Sequence, residues 1–338
     1  MSASQQVSLS ENDLKNLAAA CAGDTQAFNA LVEPHRNPLL VHCYRLSGSL
    51  DDAEDLVQET FVRAWNKVDS YKQKGAFRNW LYVIASRLWL DEVRKRKKQV
   101  LLPLDGSPAD PDSPPLPPTG SAVWLDPLPN SWLTSVETSP ESSYERQETI
   151  SLAFMVALQK LNASQRVVLI LRQVFNWRAE EVADALGITV ASVNNHLYRA
   201  RKMLIGAEYE EGVAPKKALD NFVQAWEAGD VPALINLLHD KATFAMPPMG
   251  VWYVGPATIG QALQNFVFRP DVTWKLVLTI ANGRPAFGIY QAAAGMQSYQ
   301  PFGLILPIFS AENNRVIEIT AFLSPHLVKR FDLPEINL

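Results

Sequence analysis

Cysteine is nearly absent from this chain, with Cys21 and Cys43 as the only two among 338 residues. Two thiols cannot build a disulfide framework and are too few for a cysteine zinc site, so the sequence predicts neither. Both lie in segments with helical patterns, and we expect them to be small buried hydrophobic residues. No metal ion and no cofactor is predicted for the chain.

Long apolar runs are absent too. No apolar segment approaches the roughly 20 residues that cross a bilayer, and the polar residues 1–16 have neither the basic nor the apolar part of a signal peptide. We therefore expect a soluble, cytoplasmic protein that does not bind membranes. Hydrophobic residues still make up 47% of the sequence, which is enough for the two or three packed domains that this length suggests.

A global excess of cations is the third absence, because the formal net charge is −4. This balance argues against indiscriminate binding of nucleic acids but conceals a local asymmetry. Residues 61–100 contain eleven Lys and Arg against three acids, whereas residues 99–150 contain one Arg against eight acids. A basic segment followed by an acidic one is typical of regulated contact with nucleic acids.

The basic segment includes an amphipathic helical pattern at residues 77–98. Aromatic and aliphatic residues recur along it at helical spacing, and it closes on the five cations of residues 94–98. Cations neutralise phosphates, and aromatic faces stack on unpaired bases. An ordinary basic helix end, which the helix dipole favours in any case, is the alternative that this segment alone leaves open.

Residues 8–98 as a whole carry the periodicity of consecutive helices, with a break predicted near Pro34 and Pro38. In the helix that begins at Asp51, Leu56 belongs to an apolar stripe. The polar side chains on the other side of that helix are Asp55, Gln58 and Glu59. This face could dock a basic partner, although from the residues alone an ordinary solvated face is the better interpretation.

Residues 99–143 form a Pro-rich acidic linker, since ten of the chain's 23 prolines lie between residues 103 and 140. Such a composition cannot build a packed core and favours extended backbone. Large apolar residues nevertheless interrupt this polar tether at Trp124 and Leu125, together with Pro127 and Pro129, and again at Trp132 and Leu133. This stretch is predicted to dock on another surface.

Residues 144–208 are helical again and contain the pattern of a helix-turn-helix. Ala183, Gly187 and Val193 are spaced as two packed helices with a tight turn require, and Thr189 can cap the second helix. The side chains predicted to read base edges and grip phosphates in the major groove are Ser192, Asn195, Arg199, Arg201 and Lys202. A plain helical hairpin is the alternative, but the spacing and the cationic second helix favour DNA binding.

Residues 213–333 begin with two helices and continue with alternating strands from residue 273 onward, which predicts an α+β unit with a curved antiparallel sheet. Such a unit can enclose an apolar pocket for a small-molecule ligand. His239, Asp240 and His326 are the candidates for acid–base chemistry in it. Their spacing specifies no acid–base pair, and His239 is expected to end a helix, so we expect a binding pocket rather than an enzyme.

The order of these motifs resembles that of the bacterial extracytoplasmic-function sigma factors of the sigma-70 family. Residues 52–61 resemble the region-2 signature of that family, and residues 77–91 resemble the end of the same domain. Residues 180–204 are similar to its region-4 helix-turn-helix. The last third of the chain resembles the SnoaL-like, NTF2-like cone fold, on the basis of residues 222–230, 240–244 and 282–287.

The resemblance implies a multidomain fold with two all-α domains and one α+β domain. These are sigma region 2 at residues 8–98, a Pro-rich linker at 99–143, a region-4 helix-turn-helix at 144–208 and a SnoaL-like cone domain at 213–333. It further implies a sigma factor that binds core RNA polymerase and directs promoter-specific initiation of transcription. An ordinary helix-turn-helix regulator with a ligand-sensing domain would not need the first 98 residues, and an enzyme of the cone fold is the other alternative.

The resemblance also assigns roles to individual residues. Asp55, Gln58 and Glu59, with Leu56 supporting the helix, would dock on the clamp helices of the polymerase β′ subunit. The residues that would hold the −10 element are Phe77, Arg78, Trp80, Arg87, Arg94 and Lys95. The helix-turn-helix residues named above would read the −35 element, and that domain would touch the β flap.

Two further expectations come from the resemblance. Arg87 stands where the family usually has Asn, which leaves the base preference at the −10 element open. Residues Trp124, Leu125, Pro127 and Pro129 are similar to a linker motif of sigma factors that carry a SnoaL-like extension. In that subgroup the extension adjusts activity from within the chain, so we expect it to pack against this linker or against the first domain.

Overall fold

The computed structural model describes residues 9–71, 76–96, 100–101, 107–115, 123–133, 149–203, 214–293 and 295–337. The chain divides into two compact units. One comprises residues 1–100 and 132–206, and the other comprises residues 101–131 and 207–338. The described part of the predicted linker therefore belongs mostly to the C-terminal unit. Over the described ranges, no helix combines the length and the apolarity needed to cross a bilayer.

The N-terminal part of the first unit is all α. Its helices are α1 (Glu11–Cys21), α2 (Thr25–Val32), α3 (Arg36–Ser47), α4 (Leu50–Trp65) and α5 (Phe77–Arg96). A 3₁₀ turn at Glu33–His35 separates α2 from α3 and confirms the break predicted at Pro34. Gly48, with φ of 74°, ends α3 in the left-handed conformation, and the hydroxyl of Ser49 caps α4.

The prediction for the two cysteines holds for one of them. Cys43 is buried in α3, where desolvation raises the pKa of its thiol. Cys21, the last residue of α1, is exposed. The expectation that Cys21 is buried is therefore wrong.

The second helical part of the same unit confirms the helix-turn-helix. Its elements are α6 (Leu152–Gln159), α7 (Ala163–Leu169), a π-helical stretch at Ile170–Val174, α8 (Ala179–Leu186) and α9 (Val190–Met203). Gly187 ends α8 with φ of 67°, and the Thr189 hydroxyl accepts a hydrogen bond from the backbone N–H of Ser192 at 3.1 Å. Ala183 and Val193 are buried between the helices.

This second part packs directly on α3 and α5. The rings of Tyr82 and Phe175 stack with centroids 4.4 Å apart, and His42 lies 5.3 Å from Phe175. The Arg45 guanidinium donates to the carbonyl oxygen of Thr149 at 3.1 Å. Aromatic packing and arginine hydrogen bonds thus join the two helical parts into one unit.

Within the predicted linker, the short strands are β1 (Val100–Leu101) and β2 (Val123–Trp124). The C-terminal unit then continues with α10 (Lys216–Glu227), α11 (Val231–Leu237), β3 (Leu238–Ala245), β4 (Trp252–Val254), α12 (Pro256–Ala262) and a π-helical stretch at Leu263–Val267. It ends with β5 (Val272–Ala281), β6 (Arg284–Ala293), β7 (Ser298–Phe309), β8 (Val316–Phe322), α13 (Pro325–Arg330) and β9 (Ile336–Asn337).

The main sheet has the strand order β4-β3-β8-β7-β6-β5, and β9 pairs with β7. Neighbouring strands within this sheet run antiparallel, except that β3 and β8 run parallel. Asn282 and Gly283 join β5 to β6 as a two-residue turn in which both φ angles are positive, the geometry of a type I′ hairpin. The sheet wraps an apolar core that α10, α11 and α12 cover, as predicted for an α+β unit.

Two details of this unit differ from the sequence-based expectation. His239 lies in β3 and not at the end of a helix, because the chain turns from α11 directly into the strand at Leu238. The sheet also begins earlier than predicted, with β3 and β4 preceding the strands expected from residue 273 onward. β3 pairs with β4 on one side and with β8 on the other, and local periodicity does not reveal these contacts.

Candidate functional site

An acidic groove runs between α4 and α5. The residues that line it are Asp55, Leu56, Gln58, Glu59, Val62, Arg63, Leu88, Asp91, Glu92 and Lys95. The three polar residues predicted to bind core polymerase are exposed in it, whereas Leu56 is buried beneath them and holds the helix on the core. The groove thus brings together the complete set predicted for this contact.

The sequence-based set missed the α5 side of this groove. Asp91 and Glu92 add two carboxylates to those of Asp55 and Glu59, against the cations Arg63 and Lys95. Val62 places an exposed apolar side chain beside them. The signal was present in the sequence, because these two acids interrupt an otherwise basic segment. A groove with net negative charge and an apolar ridge fits a basic, amphipathic partner surface.

The α5 residues predicted for the −10 element divide into two groups. Arg78, Arg94 and Lys95 are exposed, and Trp80 is half-buried. Phe77 is only 2% exposed, so the prediction that it faces DNA is wrong. Its ring packs against Tyr71 and Trp80 at centroid distances of 5.2 and 5.4 Å, so Phe77 anchors the start of α5 instead. The side chains at positions 97 and 98 lie outside the described residues.

Arg87 differs from its prediction in another way. Its Nε donates to the carbonyl oxygen of Ala185 at 2.7 Å, at the end of α8. A cation at a helix C-terminus is favoured by the helix dipole and by the unsatisfied carbonyl groups there. In this arrangement part of the guanidinium is engaged by the helix-turn-helix, while the Arg87 side chain remains exposed.

Arg166 of α7 carries a second, buried contact between the helical parts. Its guanidinium donates to the carbonyl oxygens of Leu46, at the end of α3, and of Gln159 and Leu161. It also lies 5.1 Å over the ring of Trp89 in α5. Burial lowers the pKa of Arg166 to about 9. Carbonyl dipoles and an aromatic face solvate this charge in place of water.

The recognition helix α9 presents most of the predicted −35 residues to solvent. Asn195, Arg199, Arg201 and Lys202 are exposed, whereas Ser192 is half-buried. Two residues missed by the prediction lie on the same exposed stripe, namely Asn194 and Tyr198, which is 70% exposed. Asn194 follows the exposed Ala191 by three residues and Tyr198 follows Asn195 by three, and this helical spacing was the signal that could have identified them.

The predicted docking of the linker is confirmed, and its partner is the C-terminal domain. The N–H of Leu128 donates to Oδ1 of Asn282 at 2.9 Å, and the N–H of Asn282 donates back to the carbonyl oxygen of Leu128 at 2.9 Å. Leu125, Pro127 and Pro129 are buried. Trp124 lies beside Gly250, where an added Cβ would stand 3.8 Å from the indole ring.

An upstream part of the linker, residues 107–115, docks on the same domain and was not predicted to do so. The N–H of Ala109 donates to the carbonyl oxygen of Trp252 at 2.7 Å. Asp112 accepts a hydrogen bond from the side-chain amide of Gln261 at 2.6 Å, and the Asn265 amide donates to the carbonyl oxygen of Pro111 at 2.9 Å. The polar composition of this stretch gave no signal for these contacts.

The C-terminal domain contains an apolar cavity of about 140 Å³ that is partly open to the surface. Its walls are Pro115 of the linker with Trp226, Phe244, Met246, Met249, Phe266, Val267, Trp274, Ile289, Phe302, Ala321 and Leu323. Within the described part of the chain, none of the three candidate acid–base residues lines it. Asp240 is 91% exposed and pairs with Arg315 at 3.7 Å, and His326 accepts from Arg330 at 3.2 Å. Across the described ranges, no cluster of His, Cys, Asp and Glu could hold a metal ion.

The chain was compared with known protein families and with relatives of known sequence. Residues 31–99 match the Sigma-70 region 2 family, residues 151–204 match Sigma-70, region 4, and residues 219–314 match the SnoaL-like domain. The ECF RNA polymerase sigma factor SigG of Mycobacterium tuberculosis strain H37Rv is 36% identical over 343 residues, covering 97% of this chain and 88% of that protein. SigW of Bacillus subtilis strain 168 is 30% identical over 190 residues, covering 56% of this chain and 93% of SigW.

A solved structure shares the fold. The crystal structure of the extracytoplasmic function sigma factor SigJ of Mycobacterium tuberculosis matches with a TM-score of 0.56 at 21% identity, covering 92% of this chain and 100% of that one. With a relative that matches nearly the whole chain, the resemblance seen in the sequence is confirmed, and this chain belongs to the extracytoplasmic-function sigma factors of RNA polymerase.

Proposed function

We propose that this sigma factor binds core RNA polymerase through the acidic groove, holds the −10 element along α5, and reads the −35 element with α9. The observation that carries this proposal is the groove itself. Asp55, Gln58 and Glu59 are exposed together on one side of a helix that the buried Leu56 fixes to the core. Because the carboxylates are held on two packed helices, little side-chain or backbone ordering remains to be done on binding.

The clamp helices of the β′ subunit are the proposed partner of this groove. The α5 acids Asp91 and Glu92 extend the contact beyond the residues of α4. The exposed pairs Arg63–Glu59, at 2.9 Å, and Arg94–Asp91, at 3.1 Å, are weak because solvent screens them. Their carboxylates are therefore available to exchange these partners for cations of the polymerase.

Promoter DNA is the proposed partner of the cationic surfaces. Along α5, Arg78, Arg94 and Lys95 would neutralise phosphates, and Trp80 would supply an aromatic face to an unpaired base. Phe77 supports this surface from beneath. On α9, the exposed polar stripe would enter the major groove, where Asn195 and Arg199 can pair with base edges and Lys202 with a phosphate. The same domain would touch the β flap.

The C-terminal domain is proposed to adjust these activities through the linker and to have no catalytic role. The reciprocal hydrogen bonds between Leu128 and Asn282 support the first part, since they fix the linker to this domain. The second part is supported by the cavity walls, which in the described chain carry no carboxylate and no imidazole. The proposed place of action is the cytoplasm, where the promoter DNA lies.

The test compares two charge reversals in the full chain. Glu59→Lys changes the groove, whereas Glu33→Lys changes an acid of the same unit that also forms an exposed pair with an arginine three residues away. Purified core polymerase should bind Glu59→Lys at least about tenfold more weakly, because one reversal turns attraction into repulsion. Glu33→Lys should bind normally, and run-off transcription should follow binding. Equal loss in both variants would contradict the proposed groove.

A further inference from the structure

The apolar cavity of the C-terminal domain is large for a natural protein core. Cores are close-packed, and a void of about 140 Å³ leaves its wall atoms without contacts on one side. A designed apolar cavity of comparable size stays dry and binds benzene-sized molecules. The size of this cavity therefore matches a small organic molecule of about six to nine heavy atoms.

Two wall residues carry polar groups that suggest what such a molecule contains. The indole N–H groups of Trp226 and Trp274 are buried and have no hydrogen-bond partner among the described residues. The two residues are 2% and 7% exposed. A buried donor without an acceptor is unfavourable, and native proteins normally satisfy such groups. A ligand with a carbonyl or similar oxygen would supply the missing acceptor, whereas a cation would meet only apolar walls and N–H donors.

The linker closes one side of this cavity. Pro115 is a wall residue, and the same linker segment is held by the Ala109–Trp252 backbone hydrogen bond and by the contact of Asp112 with Gln261. A molecule inside the cavity would add contacts to Pro115 and so hold this segment in place. Occupancy of the cavity and docking of the linker are therefore linked through a shared surface.

We propose that the C-terminal domain binds a small, neutral, largely apolar molecule that carries a hydrogen-bond acceptor oxygen, and that the bound molecule stabilises the docked linker. Its bearing on transcription rests on the proposed function, but binding itself requires neither polymerase nor promoter. Trp226 and Trp274 act as the donors that select the oxygen. The apolar walls provide the rest of the binding free energy.

The first experiment uses acetophenone as the probe, with ethylbenzene as an analogue that lacks the oxygen. Titration of the full chain by saturation-transfer NMR gives the Kd of each. The double variant Trp226→Phe, Trp274→Phe should bind acetophenone about fivefold or more weakly, as expected for lost hydrogen bonds. Its Kd for ethylbenzene should stay within about twofold of that of the unmodified chain. Trp252→Phe is the matched control, because its indole N–H is also buried without a partner but does not line the cavity.

A second variant keeps the test decisive if the double substitution does not fold. Ala321→Leu fills the cavity from β8 and should abolish binding of both probes. Absence of binding to the unmodified chain would overturn the proposal, and so would a Trp252→Phe effect equal to that of the double variant. These outcomes leave the binding of core polymerase untouched, so they are distinguishable from a failure of the proposed function.

The link to the linker has its own measurement. Acetophenone should slow hydrogen exchange of the Ala109 amide, which bonds to Trp252, and should not do so in Ala321→Leu. Unchanged exchange at saturating probe would overturn the coupling. Run-off transcription with and without acetophenone then tests whether ligand binding changes transcription. An unchanged transcript yield would overturn a regulatory role of the ligand.

Discussion

The guanidinium of Arg87 donates from Nε to the carbonyl oxygen of Ala185 at 2.7 Å and thereby links α5 to the end of α8. Arg87→Ala should lower the free energy of unfolding by about 1 kcal/mol, because one hydrogen bond to a helix C-terminus is lost. Arg87→Lys should lose most of the same stabilisation, since a lysine ammonium lacks the planar guanidinium that reaches the Ala185 carbonyl oxygen. Urea unfolding of the full chain measures this.

The same variants separate the stability role of Arg87 from the −10 role that the sequence resemblance predicts for it. Arg87→Lys keeps the charge, so promoter complexes formed with core polymerase should keep their salt dependence, whereas Arg87→Ala should reduce it. Arg94→Ala is the stability control, because its pair with Asp91 is exposed. If Arg94→Ala destabilised the chain as much as Arg87→Ala, the contact with Ala185 would not be the cause.

Replacing Arg166 should lower the free energy of unfolding more than replacing Arg87. Arg166→Met removes the donor to the carbonyl oxygens of Leu46, Gln159 and Leu161. Because these oxygens would then stay buried without a donor, the free energy of unfolding should fall by about 2 kcal/mol or more. Arg178→Met, at a guanidinium that is 74% exposed, should change it by less than about 0.5 kcal/mol. Urea midpoints at pH 7.5 compare the two, and similar values would refute the structural role of Arg166.

His42 makes the first unit sensitive to acid. Burial lowers the pKa of His42 from 6.5 to about 3, and the charge of Arg45 adds to the effect. Because the folded chain holds the imidazole neutral, unfolding takes up a proton between pH 6.5 and 3, so stability is full above pH 6.5 and falls below it. Between pH 8 and pH 5, this one group should lower the free energy of unfolding by about 2 kcal/mol.

His42→Gln should remove this part of the pH dependence while keeping a polar partner for Ser86, which lies 3.0 Å from the ring. Urea unfolding of both proteins at pH 8 and pH 5 gives the difference. Other titrating groups cancel in the comparison, because they are present in both proteins. Equal losses in the two proteins would show that His42 does not titrate as expected.

Asn282 offers a test of linker docking. Asn282→Gly keeps the positive φ of the turn but loses the Oδ1 acceptor of the Leu128 N–H. Hydrogen exchange at Leu128 should become at least about fivefold faster, as one lost hydrogen bond implies. Gly283→Asn is the control, since it changes the same turn without removing that acceptor and Asn tolerates the left-handed conformation. Unchanged exchange in Asn282→Gly would mean that other contacts hold the linker.

The local patterns of the sequence predicted much of the surface. The 3.6-residue period placed Asp55, Gln58 and Glu59 on one side of α4, and the Gly187 turn with the Thr189 cap placed the recognition helix. The tryptophans of a proline-rich tether, Trp124 and Trp132, predicted that it docks on another surface. Each of these depends on residues within a few positions of one another, which is the range over which sequence patterns act.

What the sequence determined by itself was therefore the order of the domains, the helix faces and the two DNA-binding motifs, because backbone geometry and capping are local. Tertiary structure alone decided that Phe77 is buried by Tyr71 and Trp80, that Arg87 finds its acceptor 98 positions away, and that linker residue Pro115 closes a cavity between helices and sheet. These depend on packing between distant segments, where burial and the need to satisfy buried polar groups select the partners.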